Sequence, residues 1–106
     1  MVKLILTRGS HGRGYRPPAL AVPTRIVSGH PWPSYPEGWA EEGVAVGFCA
    51  TTLGQNPRLA GLKHLNRLEQ VLARAEWEDP EVAEGLMYDD RGRVISGTMS
   101  NLFLVQ

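Results

Sequence analysis

Apolar residues fall into short runs separated by glycine, proline and polar residues, and these runs predict the regular elements of the first half of the chain. Val2–Thr7 is rich in large apolar residues, as in a strand, and residues 24–28 are its expected partner strand. The glycine-rich segment RGSHGRGY, residues 8–15, is expected to be a loop between them. Residues 43–53 form a further candidate for a buried strand.

Further along, leucines and one alanine recur at helical spacing and predict a helix over residues 63–77. The periodic positions are Leu62, Leu65, Leu68, Leu72 and Ala75. The pair Asp79-Pro80 is expected to end this helix, because the residue before a proline is biased away from helical backbone angles.

The last third of the chain predicts strands again. Residues 84–88 and 93–95 flank DDRG, residues 89–92, which has the composition of a hairpin turn. Residues 101–105, NLFLV, are expected to form a third apolar strand. Because the chain stops at the end of that run, we expect sequence to be missing beyond it. Strands and a helix together predict a mixed α/β (α+β) fold.

Residues 29–38, GHPWPSYPEG, are expected to form an extended connector, because they hold three prolines and two aromatic residues. We take this connector as the boundary between two domains.

Composition excludes several classes of protein. With 42% hydrophobic and 21% charged residues the chain is typical of a globular protein, and eleven acidic residues balance eleven basic ones. We therefore expect no nucleic-acid or membrane partner and a cytoplasmic location. The single cysteine, Cys49, lies in apolar sequence and is expected to be a buried structural thiol.

Lys63 is the first candidate for catalysis. The chain has two lysines, and Lys63 stands at the predicted helix start inside otherwise apolar sequence. A desolvated amine near the positive end of a helix loses proton affinity, and a neutral amine is required for Schiff-base and proton-transfer chemistry. The alternative is an ordinary lysine at a helix start whose ammonium reaches water.

Two other segments suggest binding. Residues 96–103, SGTMSNLF, have the composition of a tight turn that offers backbone N–H groups and hydroxyls to a phosphate or a ring. The loop RGSHGRGY suits recognition of a carboxylate through Arg8, Arg13 and Tyr15, and a solvent-exposed hairpin loop is the alternative. The histidines have no metal-ligand spacing, so no metal site is predicted, and the acid pairs Glu41-Glu42 and Asp89-Asp90 are interpreted as solvated turn residues.

The segment LAGLKHLNRLEQVLAR, preceded by LGQNPR and followed by GRVISGTMSNLF, resembles the aminodeoxychorismate lyases. These are pyridoxal-phosphate enzymes of fold type IV in the class IV aminotransferase family. The resemblance runs from about Val2 to Val105, and the upstream RGSHGRGY contributes to it. It implies conversion of 4-amino-4-deoxychorismate into 4-aminobenzoate and pyruvate, a step of folate biosynthesis, in a homodimer.

The same resemblance implies roles for individual residues. Lys63 falls on the lysine that forms a Schiff base with pyridoxal 5'-phosphate and moves protons during turnover. The turn residues expected to bind the cofactor are Ser96, Thr98, Ser100 and Asn101. Arg13 falls on an arginine that receives a substrate carboxylate, and Tyr15 falls on a position that lines the same pocket.

The chain departs from the family in two respects. Ser96 stands where the family commonly has a glutamate that pairs with the pyridine nitrogen, so the cofactor is expected to be a weaker electron sink. The family is also longer, and by analogy residues 1–29 end the small α/β domain, 30–43 form the linker and 44–106 begin the large domain. The isolated chain is therefore expected to be poorly folded or inactive. Two alternatives remain open: a branched-chain or D-amino-acid aminotransferase of the same fold, and an inactive truncated copy.

Overall fold

The computed structural model describes residues 1–106, which form two compact units, Met1–Pro36 and Glu37–Gln106. The assignment of residues 1–29, 30–43 and 44–106 to a small domain, a linker and a large domain stays a prediction.

The first unit is built on a two-stranded antiparallel ribbon of β1 (Val2–Thr7) and β2 (Thr24–Gly29), which confirms the predicted strand pair. Its open end is closed by two backbone hydrogen bonds between Met1 and His30, of 2.8 and 2.9 Å. Apolar side chains remain exposed on the ribbon, since Leu4 and Val27, which pair across the two strands on one face, are 74% and 70% exposed.

The second unit contains a mixed three-stranded sheet of order β3-β4-β5. Its strands are β3 (Ala45–Phe48), β4 (Val82–Tyr88) and β5 (Val94–Gly97). Strands β3 and β4 are parallel, so the chain must cross over between them, whereas β4 and β5 are antiparallel and form a hairpin. The unit also holds the short helix α1 (Trp39–Glu42), a 3-10 turn at Pro57–Leu59 and the helix α2 (Leu68–Arg74).

The core of this unit lies where α2 meets the sheet. Ala73 of α2 and Met87 of β4 are fully buried, and Cys49 is 4% exposed, which confirms the prediction of a buried thiol. Trp77 packs against this cluster over two glycines that pair across the sheet, Gly47 and Gly85. A Cβ on Gly47 would lie 2.5 Å from the indole ring, and one on Gly85 would lie 2.6 Å from it. The glycines therefore leave room for a large aromatic ring against the sheet.

The hairpin between β4 and β5 is held by Asp89, which is 3% exposed. One carboxylate oxygen accepts the N–H groups of Arg91 and Arg93 at 2.9 Å, and the other accepts the Arg93 guanidinium at 2.6 and 2.7 Å. Hydrogen bonds from Arg93 lower the pKa of Asp89 below its ordinary value. The turn was predicted correctly, but the interpretation of Asp89 as a solvated residue was wrong.

The predicted helix over residues 63–77 is wrong in both bounds. Helix α2 begins only at Leu68, whose N–H donates to Asn66 Oδ1 at 3.3 Å, and it ends at Arg74. Beyond it, Glu76 accepts the N–H groups of Ala50 and Thr51, each at 2.7 Å, so residue 76 is tied to the loop after β3. This contact and the packing of Trp77 turn the chain away from the helix axis before Asp79-Pro80.

One further expectation was wrong, because residues 101–105 form no strand. The short helix α1 was not predicted. The predicted strand over residues 43–53 is shorter than expected, whereas that over 84–88 begins earlier, at Val82.

Candidate functional site

The turn after β5 is organised around the carboxylate of Glu84, which is 8% exposed in β4. Oε1 of Glu84 accepts the N–H of Gly85 at 2.8 Å, the N–H of Thr98 at 3.0 Å and the Thr98 hydroxyl. Oε2 accepts the Ser100 hydroxyl at 2.6 Å and the N–H of Met99 at 3.3 Å. One side chain therefore satisfies donors from three consecutive residues of the neighbouring turn.

The electrostatics of Glu84 follow from this arrangement. Burial raises the pKa of Glu84, but hydrogen bonds from Ser100, Thr98, Gly85 and Met99 outweigh burial and lower it to about 2. All these partners are neutral groups, so the negative charge is stabilised by dipoles and not by an ion pair.

The predicted cofactor-binding residues on this turn occupy different environments. Ser96 is half-buried on β5 opposite Met87, whereas Asn101 is exposed. The hydroxyls of Thr98 and Ser100 donate to Glu84, so each has its only proton engaged inside the protein. Those two hydroxyls therefore cannot donate to a phosphate in this conformation. The cofactor-binding role of the four residues stays a prediction.

Lys63 lies in an irregular segment five residues before α2, and its side chain is exposed. The expectation of a buried amine at a helix start is therefore wrong for this chain, because the leucines around it are not packed. Leu62 and Leu65 are 62% and 70% exposed. Exposure leaves the amine accessible to a small-molecule aldehyde, and the catalytic role of Lys63 stays a prediction.

The segment before α2 borders a cleft of about 470 Å³. Its lining includes Gln55, Asn56, His64, Arg67 and Glu69. Glu69, in the first turn of α2, accepts the N–H of Gly54 at 2.9 Å and so fixes the loop after β3 to the helix. The cleft is thus a polar hollow next to the lysine segment, with one wall formed by α2.

Arg13 and Tyr15 belong to the first unit, on the long loop between β1 and β2. Both side chains are exposed, and Tyr15 is completely so. Near the base of the loop, Arg8 donates to the carbonyl of Pro18 at 3.3 Å. The loop is an exposed hairpin connection, as the alternative interpretation expected, and recognition of a substrate carboxylate there stays a prediction.

Sequence reasoning missed Glu84, the residue of β4 whose carboxylate accepts hydrogen bonds from the turn. The signal was an acidic residue inside an otherwise apolar strand, VAEGLMY, where a buried carboxylate needs hydrogen-bond donors to be stable.

None of the helices has the length and apolar character needed to cross a membrane. No group of three or more His, Cys, Asp or Glu side chains is arranged to hold a metal ion.

Comparison with known proteins relates the whole chain to one family. The family described as "Amino-transferase class IV" matches residues 1–106. The aminodeoxychorismate lyase of Vibrio harveyi is 43% identical over 105 residues, covering 99% of this chain and 39% of that protein. A putative branched-chain-amino-acid aminotransferase of Methanocaldococcus jannaschii is 30% identical over 106 residues and is covered to 36%. The chain therefore spans less than two fifths of the length of these curated relatives.

The fold gives the same relationship. The crystal structure of 4-amino-4-deoxychorismate lyase from Pseudomonas aeruginosa superposes with a TM-score of 0.85 at 59% sequence identity, covering 92% of this chain and 36% of that chain. The predicted mixed α/β fold of type IV is confirmed by this match.

Proposed function

Since the chain belongs to the class IV aminotransferase family, we propose that the protein containing it is an aminodeoxychorismate lyase. It would convert 4-amino-4-deoxychorismate into 4-aminobenzoate and pyruvate. The observation that carries this proposal is the similarity to the Pseudomonas aeruginosa lyase, at 59% identity over 92% of the chain. The Vibrio harveyi lyase, at 43% identity, supports the same substrate.

The proposed cofactor is pyridoxal 5'-phosphate, and the donor set of the second unit fits it. Lys63 offers an exposed primary amine that can react with an aldehyde. Ser96 offers a hydroxyl that can hydrogen-bond to a ring nitrogen, and Asn101 offers an exposed amide. Lys63 would hold the cofactor covalently, while Ser96 and Asn101 would contact it without carrying charge. When bound, the cofactor supplies an electron-withdrawing ring that stabilises negative charge on the substrate carbon.

The chain's own residues would then perform two tasks. Nζ of Lys63, once displaced by the substrate amine, would take the proton from the amine-bearing carbon as a general base. Arg13 would orient the substrate by binding a carboxylate through its guanidinium, and Tyr15 would line the pocket beside it. Loss of the enolpyruvyl group as pyruvate is favoured because the remaining ring becomes aromatic.

The test uses the protein that contains this chain, incubated with pyridoxal phosphate and reduced with borohydride. We expect the label on Lys63 and release of 4-aminobenzoate by the unreduced protein. Lys63→Ala should abolish both, whereas Lys3→Ala, at the chain's only other lysine, should change neither. A label on Lys3 instead, or full activity of Lys63→Ala, would contradict the proposal.

The second candidate function is an aminotransferase of the same family. The 30% identity to the Methanocaldococcus jannaschii protein favours it, although less than the identities to the two lyases favour the lyase reaction. Transfer of an amino group to added keto acids, without release of 4-aminobenzoate, would identify this activity. A protein inactive in both assays would be the inactive truncated copy considered above.

We also propose that the protein is a homodimer located in the cytoplasm. Sedimentation would check the oligomeric state, and cell fractionation would check the location.

A further inference from the structure

The turn after β5 directs the hydrogen bonds of its side chains inward, towards the adjacent strand β4. Both hydroxyls of the turn, on Thr98 and Ser100, point back to the Glu84 carboxylate. The N–H groups of Thr98 and Met99 do the same. The turn is therefore held in place by Glu84 of the adjacent strand β4.

Packing leaves this turn little freedom to adopt another conformation. A Cβ on Gly97 would lie 2.7 Å from Oε2 of Glu84, so the backbone of residue 97 lies directly against the carboxylate. The N–H of Gly97 also donates to the carbonyl of Ser100 at 3.0 Å, which closes the turn on itself. Any rearrangement would leave the buried carboxylate with the N–H of Gly85 as its one remaining donor, which is costly.

We propose that Glu84 is a positioning residue for the cofactor, because its carboxylate fixes the turn that carries Ser96 on one side and Asn101 on the other. This inference rests on the proposed function, since it assumes that these two residues face pyridoxal phosphate. Glu84 itself would not touch the cofactor. It would act through Thr98 and Ser100, because its carboxylate accepts hydrogen bonds from both hydroxyls.

The experiment measures the dissociation constant and the absorbance band of bound pyridoxal phosphate in the protein that contains this chain. The variant is Glu84→Gln, which keeps the size of the side chain but removes its negative charge and replaces one carboxylate oxygen with an amide N–H₂ group. The matched control is Glu81→Gln, the same change at an exposed position three residues earlier. Measurements are made well below the unfolding temperature of each variant, so that a purely structural loss of stability leaves the absorbance band unchanged.

We expect Glu84→Gln to raise the cofactor dissociation constant at least about tenfold, as for loss of a charged hydrogen-bond acceptor, and to shift the absorbance band. Glu84→Asp, which retains the charge on a shorter side chain, should have an intermediate effect. Ser100→Ala should add little in the Glu84→Gln background, because the Ser100 hydroxyl no longer has a charged acceptor.

If Glu84→Gln does not fold, Thr98→Val and Thr98→Ser decide the question. Only the valine variant removes the hydroxyl, so it alone should weaken cofactor binding. The inference is overturned if folded Glu84→Gln binds the cofactor with unchanged affinity and spectrum. Where Glu84→Gln does not fold, the same result for Thr98→Val overturns it. Either result leaves the proposed function intact. A wild-type protein that binds no pyridoxal phosphate would instead overturn the proposed function, and the inference with it.

Discussion

At the scale of single residues, the carboxylate of Glu84 makes the stability of the protein depend on pH. Its folded-state pKa of about 2 lies below the ordinary value of 4.5, so the folded protein holds fewer protons than the unfolded chain between these values. The stability that Glu84 contributes is therefore fully present above pH 4.5 and is lost as the pH falls towards 2.

We predict that Glu84→Gln lowers the free energy of unfolding by about 1–3 kcal/mol at neutral pH, because donors of the turn lose their charged acceptor. The difference from wild type should shrink as the pH falls below 4.5. Thermal unfolding of both proteins across a pH series checks this. A difference that stays constant as the pH falls from 4.5 to about 2, or an equal effect of Glu81→Gln, would contradict it.

A second prediction at this scale concerns Ser96, which is half-buried and which the family resemblance places where a glutamate is expected. Because a carboxylate favours a protonated pyridine nitrogen, Ser96→Glu should shift the absorbance band of the bound cofactor. It should also raise the rate of amino-group transfer more than that of pyruvate release. Ser96→Gln, of similar length but without charge, is the control, and identical spectra for all three proteins would refute the idea.

Single residues differed in how far sequence could predict them. The thiol of Cys49 was predicted correctly because an apolar neighbourhood is local information. The burial of Asp89 and the exposure of Lys63 were not predicted, because both depend on how the rest of the chain packs around them. The resemblance to a family identified Lys63 as a candidate without describing its surroundings.

At the scale of elements, strands were predicted better than the helix. The pair β1 and β2 was found from apolar composition and the glycine-rich loop between them, whereas the leucine spacing extended the helix too far towards both ends. Leu68 and Leu72 lie on α2, yet they are 63% and 54% exposed, while Ala73 is buried. Periodicity therefore described an apolar face, but tertiary contacts of Glu76 and Trp77 determined where the helix stops.

The contact between Trp77 and the paired glycines gives a prediction at this scale. Gly47→Ala should lower the free energy of unfolding by about 1–3 kcal/mol, because the added methyl group overlaps the indole ring. Gly29→Ala is the control, since a Cβ there meets no atom within 4 Å and its backbone needs no positive φ. Urea unfolding of both variants checks this, and equal midpoints would show that the ring moves aside at no cost.

At the scale of the whole molecule, apolar surface dominates the behaviour expected of residues 1–106 alone. Leu4, Leu6 and Val27 of the first unit and Leu65 of the second are each more than two-thirds exposed. Surfaces of this kind normally mark regions that another part of a protein or a partner covers. The sequence pattern predicted apolar elements, but nothing local in it indicated which of them would remain uncovered.

We therefore predict that residues 1–106, produced alone, bind a hydrophobic dye and self-associate at micromolar concentration. Replacing Leu4 and Val27 with lysine should reduce both effects, because these side chains face each other across the ribbon and their exposure is high. Dye fluorescence and sedimentation velocity are the measurements. A monomeric wild-type chain without dye binding would be incompatible with this expectation.

The anchored turn also defines which positions can be varied when such a protein is engineered. Met99 is 79% exposed, and its only role in the Glu84 network is played by its backbone N–H. Its side chain is therefore open to randomisation in a combinatorial library, whereas Asn101 is kept because it is proposed to contact the cofactor. Glu84, Gly97, Thr98 and Ser100 form an interdependent block, and a library that diversifies any one of them alone would consist mostly of damaged clones.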